Sequence, residues 1–524
     1  MELDAMYSHT RNRQRWAAGL LLAGSLAWAA VAAAGEDAAP AYQVSSIPAE
    51  PLLIEPPKLP DLSPYTAEAA NARIVRKPTG SVVLKRMIGQ NQLVEFTGGD
   101  ERLREWVKRQ GEMPQAVFIE GGYVTLTDLA RSLPKKYFEE TEPGIYIARL
   151  PIVVSQGATL HIGAETRDLR LSSERGAFLI NDGKLFIMDT RLTAWSEKEN
   201  QQDWFKKKGK FRPFLNAWGG TETYIVNSVV SSLGYTASKS YGVSISQYSP
   251  AMHPTMQRDH PSGWLIDSMF DDMWYGFYCY EAYDVVLKGN TYRNNLVYGI
   301  DPHDRSRRLI IAENTAYGTR EKHGIIVSRE VNDSWIFNNR SYENTLSGIV
   351  VDRSSVNNVV ANNEVYRNGS DGITIYESGD NLLWGNRAFN NARHGIRVRN
   401  SANVGLYENL AVANGLLGIY GHVKDLNGTP RDLILDPFDM NLSLTVVGGR
   451  LIGNESGAIS VVSPQSVKLY GVEMLMPTQP SGIGIFGALA KEQSRIIDLL
   501  VRQKRAVLVL PLDKLAQLQV SDKQ

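Results

Sequence analysis

Five consecutive residues, Ile300-Asp301-Pro302-His303-Asp304, hold the densest chemistry in this chain. A histidine with an unperturbed pKa of about 6.5 can take or give a proton near neutrality, which is the work of a general base or acid. The carboxylates of Asp301 and Asp304 can orient that imidazole or contact a bound molecule. Pro302 removes a backbone donor and is unusual inside a parallel sheet, so the run departs locally from the pattern around it.

That pattern is a repeat. Glycines recur every 23 to 25 residues at Gly276, Gly299, Gly324, Gly348, Gly372, Gly395 and Gly418, and Asn290, Asn314, Asn339, Asn363, Asn386 and Asn409 follow the same period. After the glycines come the apolar pairs Ile325/Val327, Ile349/Val351, Ile373/Ile375 and Ile396/Val398, the period-2 alternation of a strand with one buried face. Leucine-rich repeats need spaced leucines, which these units lack. Coils of short strands with Gly and Asn at left-handed corners fit instead, stacked on one another as an all-β parallel β-helix. Coils stack about 4.8 Å apart, so equal offsets from the glycines form outward columns. Four residues after each glycine the column reads Tyr280, His303, Ser328, Asp352, Tyr376, Arg399; one further on it reads Glu281, Asp304, Arg329, Arg353, Glu377, Asn400. Asp301 and Arg397 also point outward. Among the eight histidines, His303 is read as the sole occupant of the outward column, with His323 and His394 placed just before glycines. A long face of charge and aromatic rings suits a polymer.

The 56 basic residues balance the 56 acidic ones, so overall charge does not point to nucleic acid. Arg11, Arg13 and Arg15 precede an apolar run that ends at Ala32-Ala33-Ala34, which reads as an export signal over 1–34. One cysteine, Cys279, excludes an internal disulfide and falls on an inward offset. An exported chain without disulfides and with such a signal points to the periplasm. The remainder divides into a proline-rich extended leader (35–65), a covering unit for the open sheet edge (66–143), the β-helix (144–488) and a closing amphipathic helix with its tail (489–524). Two insertions interrupt the early coils. Ser196–Asn216, with Lys206, Lys207, Lys208, Lys210 and Arg212 beside Trp204, Phe205 and Phe211, is either a solvated loop or a basic flap over an acidic polymer. Ser249–Gly263 carries His253 and His260, whose spacing is a weak metal signal.

The run Asp301-Pro302-His303-Asp304, set in such coils, resembles the periplasmic mannuronan C5-epimerases of bacterial alginate synthesis, and the resemblance extends over nearly the whole chain. It implies a right-handed β-helix that acts on poly-mannuronate in the periplasm, beside other proteins of an alginate secretion complex. Inverting C5 of a uronate removes a proton next to a carboxylate, a very weak acid unless a cation stabilises the developing charge. On this reading His303 is the base and Arg329, from the next coil, neutralises the carboxylate. Asp301 and Asp304 orient the imidazole or contact the sugar, and the acid is water or a tyrosine such as Tyr298. Tyr280, Arg353, Tyr376, Arg397 and Arg399 extend the binding face. No cofactor is expected, and neither is a metal: the Gly-Gly-x-Gly-x-Asp calcium signature is missing.

Three rivals stand beside this. A polysaccharide lyase shares the proton abstraction and then expels the C4 oxygen. A glycosidase needs two opposed carboxylates, and the best adjacent pair, Asp271-Asp272, lies away from the motif. A non-catalytic scaffold would only guide the polymer.

Overall fold

Short β-branched strands with a buried apolar side must stack to hide it, and they do so through every turn of the chain. The computed structural model describes residues 42–111, 113–237, 239–247, 258–476 and 484–512. The expected export signal and His253 lie outside them. Among the described residues, three sheets of 15 strands each run the length of a parallel β-helix. One coil runs through Tyr275–Tyr280, Val286–Lys288 and Thr291–Arg293 before Tyr298–His303 opens the next. The inward Ile325, Val327, Ile349, Val351, Ile373 and Ile375 are fully buried, as is Cys279.

The column through His303 forms as expected: Tyr280 pairs with His303, His303 with Ser328, and then Asp352, Tyr376 and Arg399 follow. It also continues to His422, which pairs with Arg399. His303 is therefore not the sole histidine of the column, because Gly418 puts His422 at the same offset.

The glycines serve a different purpose from the one expected. None of the seven repeat glycines is among the residues with positive φ. A Cβ on Gly276 would lie 2.3 Å from the carbonyl oxygen of Gly299, and one on Gly372 would lie 2.6 Å from that of Gly395. Close approach between coils, not a left-handed corner, requires them. The left-handed corner falls instead on Glu281, Asp304, Arg329, Arg353, Glu377 and Asn400, all at φ between 34° and 63°. Each of these side chains leaves the sheet at its bend.

The repeated asparagines are not at left-handed corners either. They point inward as a ladder. Asn339 Nδ2 donates to Asn363 Oδ1 at 3.0 Å, and Asn363 Nδ2 donates to Asn386 Oδ1 at 2.9 Å. Each oxygen also accepts the backbone N–H of the preceding asparagine, as in Asn339 N to Asn363 Oδ1 at 2.9 Å. Fully satisfied, such a buried amide fixes coil register.

The ends depart from the expected boundaries. Gln115–Glu120 already pairs parallel with Ile152–Val154, so coiling starts inside the segment read as a covering unit. Ser81–Arg86 caps that edge in antiparallel pairing, and short helices form at Asp100–Val107 and Leu126–Ser132. At the far end, helical turns over Gln493–Ile497 and Asp498–Arg502 lead into a strand, Ala506–Pro511. The leader is not simply extended. Tyr42–Ile47 pairs antiparallel with Ala506–Pro511. The chain then runs back along the outside of one sheet: Leu52 packs with Tyr407 and Val447, Leu59 and Leu62 join the cluster of Trp335 and Trp384, and the Tyr65 ring meets Trp264 at 5.0 Å. Its prolines suit this, since they need no ladder donor. Among the described residues no helix is long and apolar enough to cross a membrane.

Two substitutions test this account. Asn363→Ala strands two donors on Asn339 and takes the Nδ2 donor away from the Ile336 carbonyl and from the Asn386 oxygen, which keeps only the backbone N–H of residue 363. At about 1–3 kcal/mol for each unsatisfied buried donor, unfolding free energy should fall by at least about 2 kcal/mol, and a loss under about 1 kcal/mol in denaturant titration would sink the ladder argument. Gly372→Ala should lower Tm although its φ suits alanine, because the methyl group meets the next coil.

Candidate functional site

One sheet carries the whole constellation. Tyr298–His303 delivers Asp301, His303 and, at the bend just beyond, Asp304. The strand pairs at Ile300 with Ile325 and at His303 with Ser328, with no pair between at Asp301 and Pro302, as a proline without an N–H dictates. His303 stays a fifth exposed at the groove floor, its ring 6.1 Å from that of the buried Tyr278.

His303 Nδ1 is hydrogen bonded to Asp304 Oδ2. A carboxylate can only accept, so Nδ1 carries the hydrogen and Nε2 is left free to take a proton. Burial opposes charge on this imidazole, yet the Asp304 hydrogen bond and the charges of Asp301 and Asp304 outweigh it and lift its pKa above 6.5. Burial also works against ionised Asp304, but His303, Arg329 and Arg305 hold its carboxyl below the usual value. The other histidines on this sheet go the opposite way. Burial takes His323 and His394 down to about 3 and His422 to about 4. His422 Nε2 accepts from Arg397 at 3.1–3.2 Å and is occupied. His303 stands apart by its environment, not by its column.

Asp301 is buried, its Oδ1 has no hydrogen-bond partner, and burial pushes its carboxyl up to about 7. An unpaired carboxyl in this state can donate or accept near neutrality. Beside it, Lys322 Nζ donates to the Tyr298 hydroxyl at 3.1 Å, and the Tyr298 ring stacks on His323.

Arg329 reaches the motif as expected, its Nη1 lying 3.7 Å from Asp304 Oδ1. Its strongest partner was not expected. Asp436 takes Nε at 2.7 Å and Nη2 at 2.8 Å. Arg353 lies 3.4 Å from Asp352 and 3.6 Å from the same Asp436. Arg399 is paired with Glu377 at 2.7 Å, as is Arg431 at 2.6 Å, while Tyr376 lies under the Arg399 guanidinium at 3.8 Å. Tyr280 accepts from Arg305 at 3.0 Å. The structure thus brings His303, Asp301, Asp304 and Arg329 together, and places Tyr376, Arg397 and Arg399 several coils away along the groove.

Asp436 and Arg431 come from an insertion that sequence reasoning passed over. Corresponding asparagines elsewhere in the ladder are 23 to 25 residues apart, but Asn414 and Asn454 are separated by 40. That stretched interval was the available signal. The other insertion is fastened down: Arg212 is buried on Asp272, Lys210 pairs with Asp203 at 2.8 Å and Lys208 with Glu321 at 2.7 Å. Asp272 is thereby consumed, and Asp271 pairs with Arg293, so neither is placed as a glycosidase acid. His260 Nδ1 donates to the Glu281 carbonyl oxygen at 2.7 Å, and the ring stacks on Tyr283.

Residues 275–427 match the family model described as a right-handed β-helix region. A mannuronan C5-epimerase of Pseudomonas aeruginosa is 65% identical over 478 residues, covering 91% of this chain and 88% of the relative. One of Azotobacter vinelandii is 62% identical over 476 residues, 91% of this chain and 90% of the relative. The crystal structure of a periplasmic alginate epimerase, AlgG, superposes with a TM-score of 0.80 at 56% identity, covering 81% of this chain and all of that one. With identity of this order spread across the coils that build the groove, the chain belongs to the mannuronan C5-epimerase family, whose members are isomerases.

Proposed function

We propose that the protein epimerises C5 of β-D-mannuronate to α-L-guluronate within the alginate polymer, with His303 as base. The observation that carries this is the contrast among the groove histidines: His303 is paired with a carboxylate and keeps a free Nε2, while His323, His394 and His422 are held neutral. With Nδ1–H fixed on Asp304, the imidazole presents Nε2 to H5, and Asp304 stabilises the imidazolium that results. Arg329 lies beside this pair and would stabilise the negative charge that builds on the uronate carboxylate as the proton leaves. Asp301, titrating near neutrality, hydrogen bonds the sugar or its carboxyl group. Return of a proton to the other face falls to water or to Tyr298, whose hydroxyl Lys322 fixes in place. Tyr280, Arg353, Tyr376, Arg397 and Arg399 bind neighbouring sugars along the sheet, where rings offer apolar faces and guanidinium groups meet carboxylates.

The setting we propose is the periplasm, on polymer in transit and in company with other alginate secretion proteins. The solved relative is described as periplasmic, and the sequence carries the export signal read at its N-terminus. The nearest rival chemistry is a lyase, which begins with the same abstraction.

Purified full-length protein is incubated with poly-mannuronate in deuterated water, without added metal, and the polymer is read by NMR. The expected result is deuterium at C5 with new guluronate signals, both reduced by at least about 100-fold in His303→Ala, in line with the weight of a general base. Chain shortening with unsaturated ends would make the protein a lyase, and unchanged exchange in a folded His303→Ala would remove His303 as base.

The raised His303 pKa gives a second test. Neutral imidazole forms only above that pKa, so the acid limb of kcat/KM should have its midpoint above pH 6.5. Asp304→Asn removes the negative charge that raises it and leaves at most a neutral acceptor for Nδ1–H, so the limb should move to lower pH. A limb that stays in place or moves upward is incompatible with His303 as the titrating base.

A further inference from the structure

A guanidinium on a flexible stem stabilises a transition state only if it is already where the charge will develop. Arg329 leaves the sheet from a left-handed corner, at φ 63°, and its own coil offers it no acidic partner of its own. Its nearest carboxylate on the groove strands is Asp304, at 3.7 Å. Left to itself, Arg329 would close on Asp304 and compete with His303 for that carboxylate. The inserted loop prevents this. Between the groove strands Leu417–His422 and Gly457–Val462 the chain leaves the coil and folds back so that Asp436, only 4% exposed, meets Arg329 fork to fork. The loop is tied at the same point. Arg431 Nε donates to the Asp436 carbonyl at 2.8 Å while its Nη1 reaches Glu377 at 2.6 Å, and Asp436 N donates to the Asp432 carbonyl at 2.8 Å.

A guanidinium has two edges suited to a carboxylate. Asp436 occupies the edge formed by Nε and Nη2, which leaves the edge of Nη1 and the second Nη2 hydrogen unused by it, with Nη1 3.7 Å from Asp304 Oδ1.

We propose that Asp436 is a positioning residue of the catalytic centre: it grips one edge of Arg329 so that the other edge faces the uronate carboxylate and Asp304 remains with His303. This rests on the reading above, in which Arg329 neutralises that carboxylate. Asp436 acts through Arg329 and touches no reacting atom.

The test is a double-mutant cycle in the full chain, with initial rates of guluronate formation measured over a range of poly-mannuronate concentrations. Asp436→Asn keeps the shape but can accept with one atom only, so the fork is lost. Its kcat should fall by about 10- to 100-fold with KM little changed, the signature of an interaction made in the transition state. Asp436→Glu, which restores the carboxylate, should recover part of the loss. On an Arg329→Ala background, Asp436→Asn should cost nothing further, because the residue it positions is gone.

Full activity in Asp436→Asn overturns the proposal, and so do losses that multiply in the double variant, the outcome expected of a loop that only stabilises the fold. Should Asp436→Asn fail to fold, Asp436→Glu alone and on Arg329→Lys carries the same comparison: equal cost on both backgrounds overturns the proposal, and a cost confined to the arginine background supports it. If Arg329→Ala is itself fully active, the underlying reading of Arg329 falls. If Arg329→Ala is inactive and Asp436→Asn keeps full activity, only the positioning role falls.

Discussion

Parallel backbone pairing between coils, repeated at about 4.8 Å, is the constraint on which the molecule depends. It forces the glycines, since any Cβ at Gly276 or Gly372 would meet the carbonyl of the next coil. It places each buried asparagine within reach of the next, so that a polar ladder becomes possible in an apolar interior. It also aligns the bends, and with them the residues that leave the sheet there. The candidate site around His303 is a by-product of this regularity, altered at one coil by Pro302.

The site works as a chain of paired charges. Asp436 holds Arg329, Arg329 stands beside Asp304, and Asp304 holds the imidazole of His303. Each link settles which atom of the next is free. Asp301 lies outside this chain and keeps an unpaired oxygen in a buried place, a costly arrangement. Further along the groove, Glu377 holds both Arg399 and Arg431, so the cations there are oriented by carboxylates too.

The coils were legible because a repeat amplifies weak signals: Ile373 and Ile375 alone are ambiguous, but the same pair in successive units is not. His303, Asp301, Asp304 and Arg329 could be placed together because the period fixes neighbours across coils. Where the period breaks, the reading failed. Asp436 lies in an insertion whose return to the groove is a tertiary event with no local pattern, and the stretched interval from Asn414 to Asn454 only marks that something is inserted. The reason for the glycines was also out of reach, because left-handed corners and close approach leave the same residue in a sequence. His422 was missed although its offset from Gly418 was in plain view.

The strand Tyr42–Ile47, paired with Ala506–Pro511, bears on how the molecule is made. Stacked repeats ordinarily zip from neighbour to neighbour, each new coil resting on the one before. Here the first of the described strands has its partner in the last of them. It must wait, unpaired, while every coil is laid down, and only the arrival of the last strand lets it dock. The route between them, past Tyr407, Trp384 and Trp264, then closes along the finished sheet. A stack that could otherwise fray from either tip becomes a loop fastened at the moment of completion, so the two ends stand or fall together.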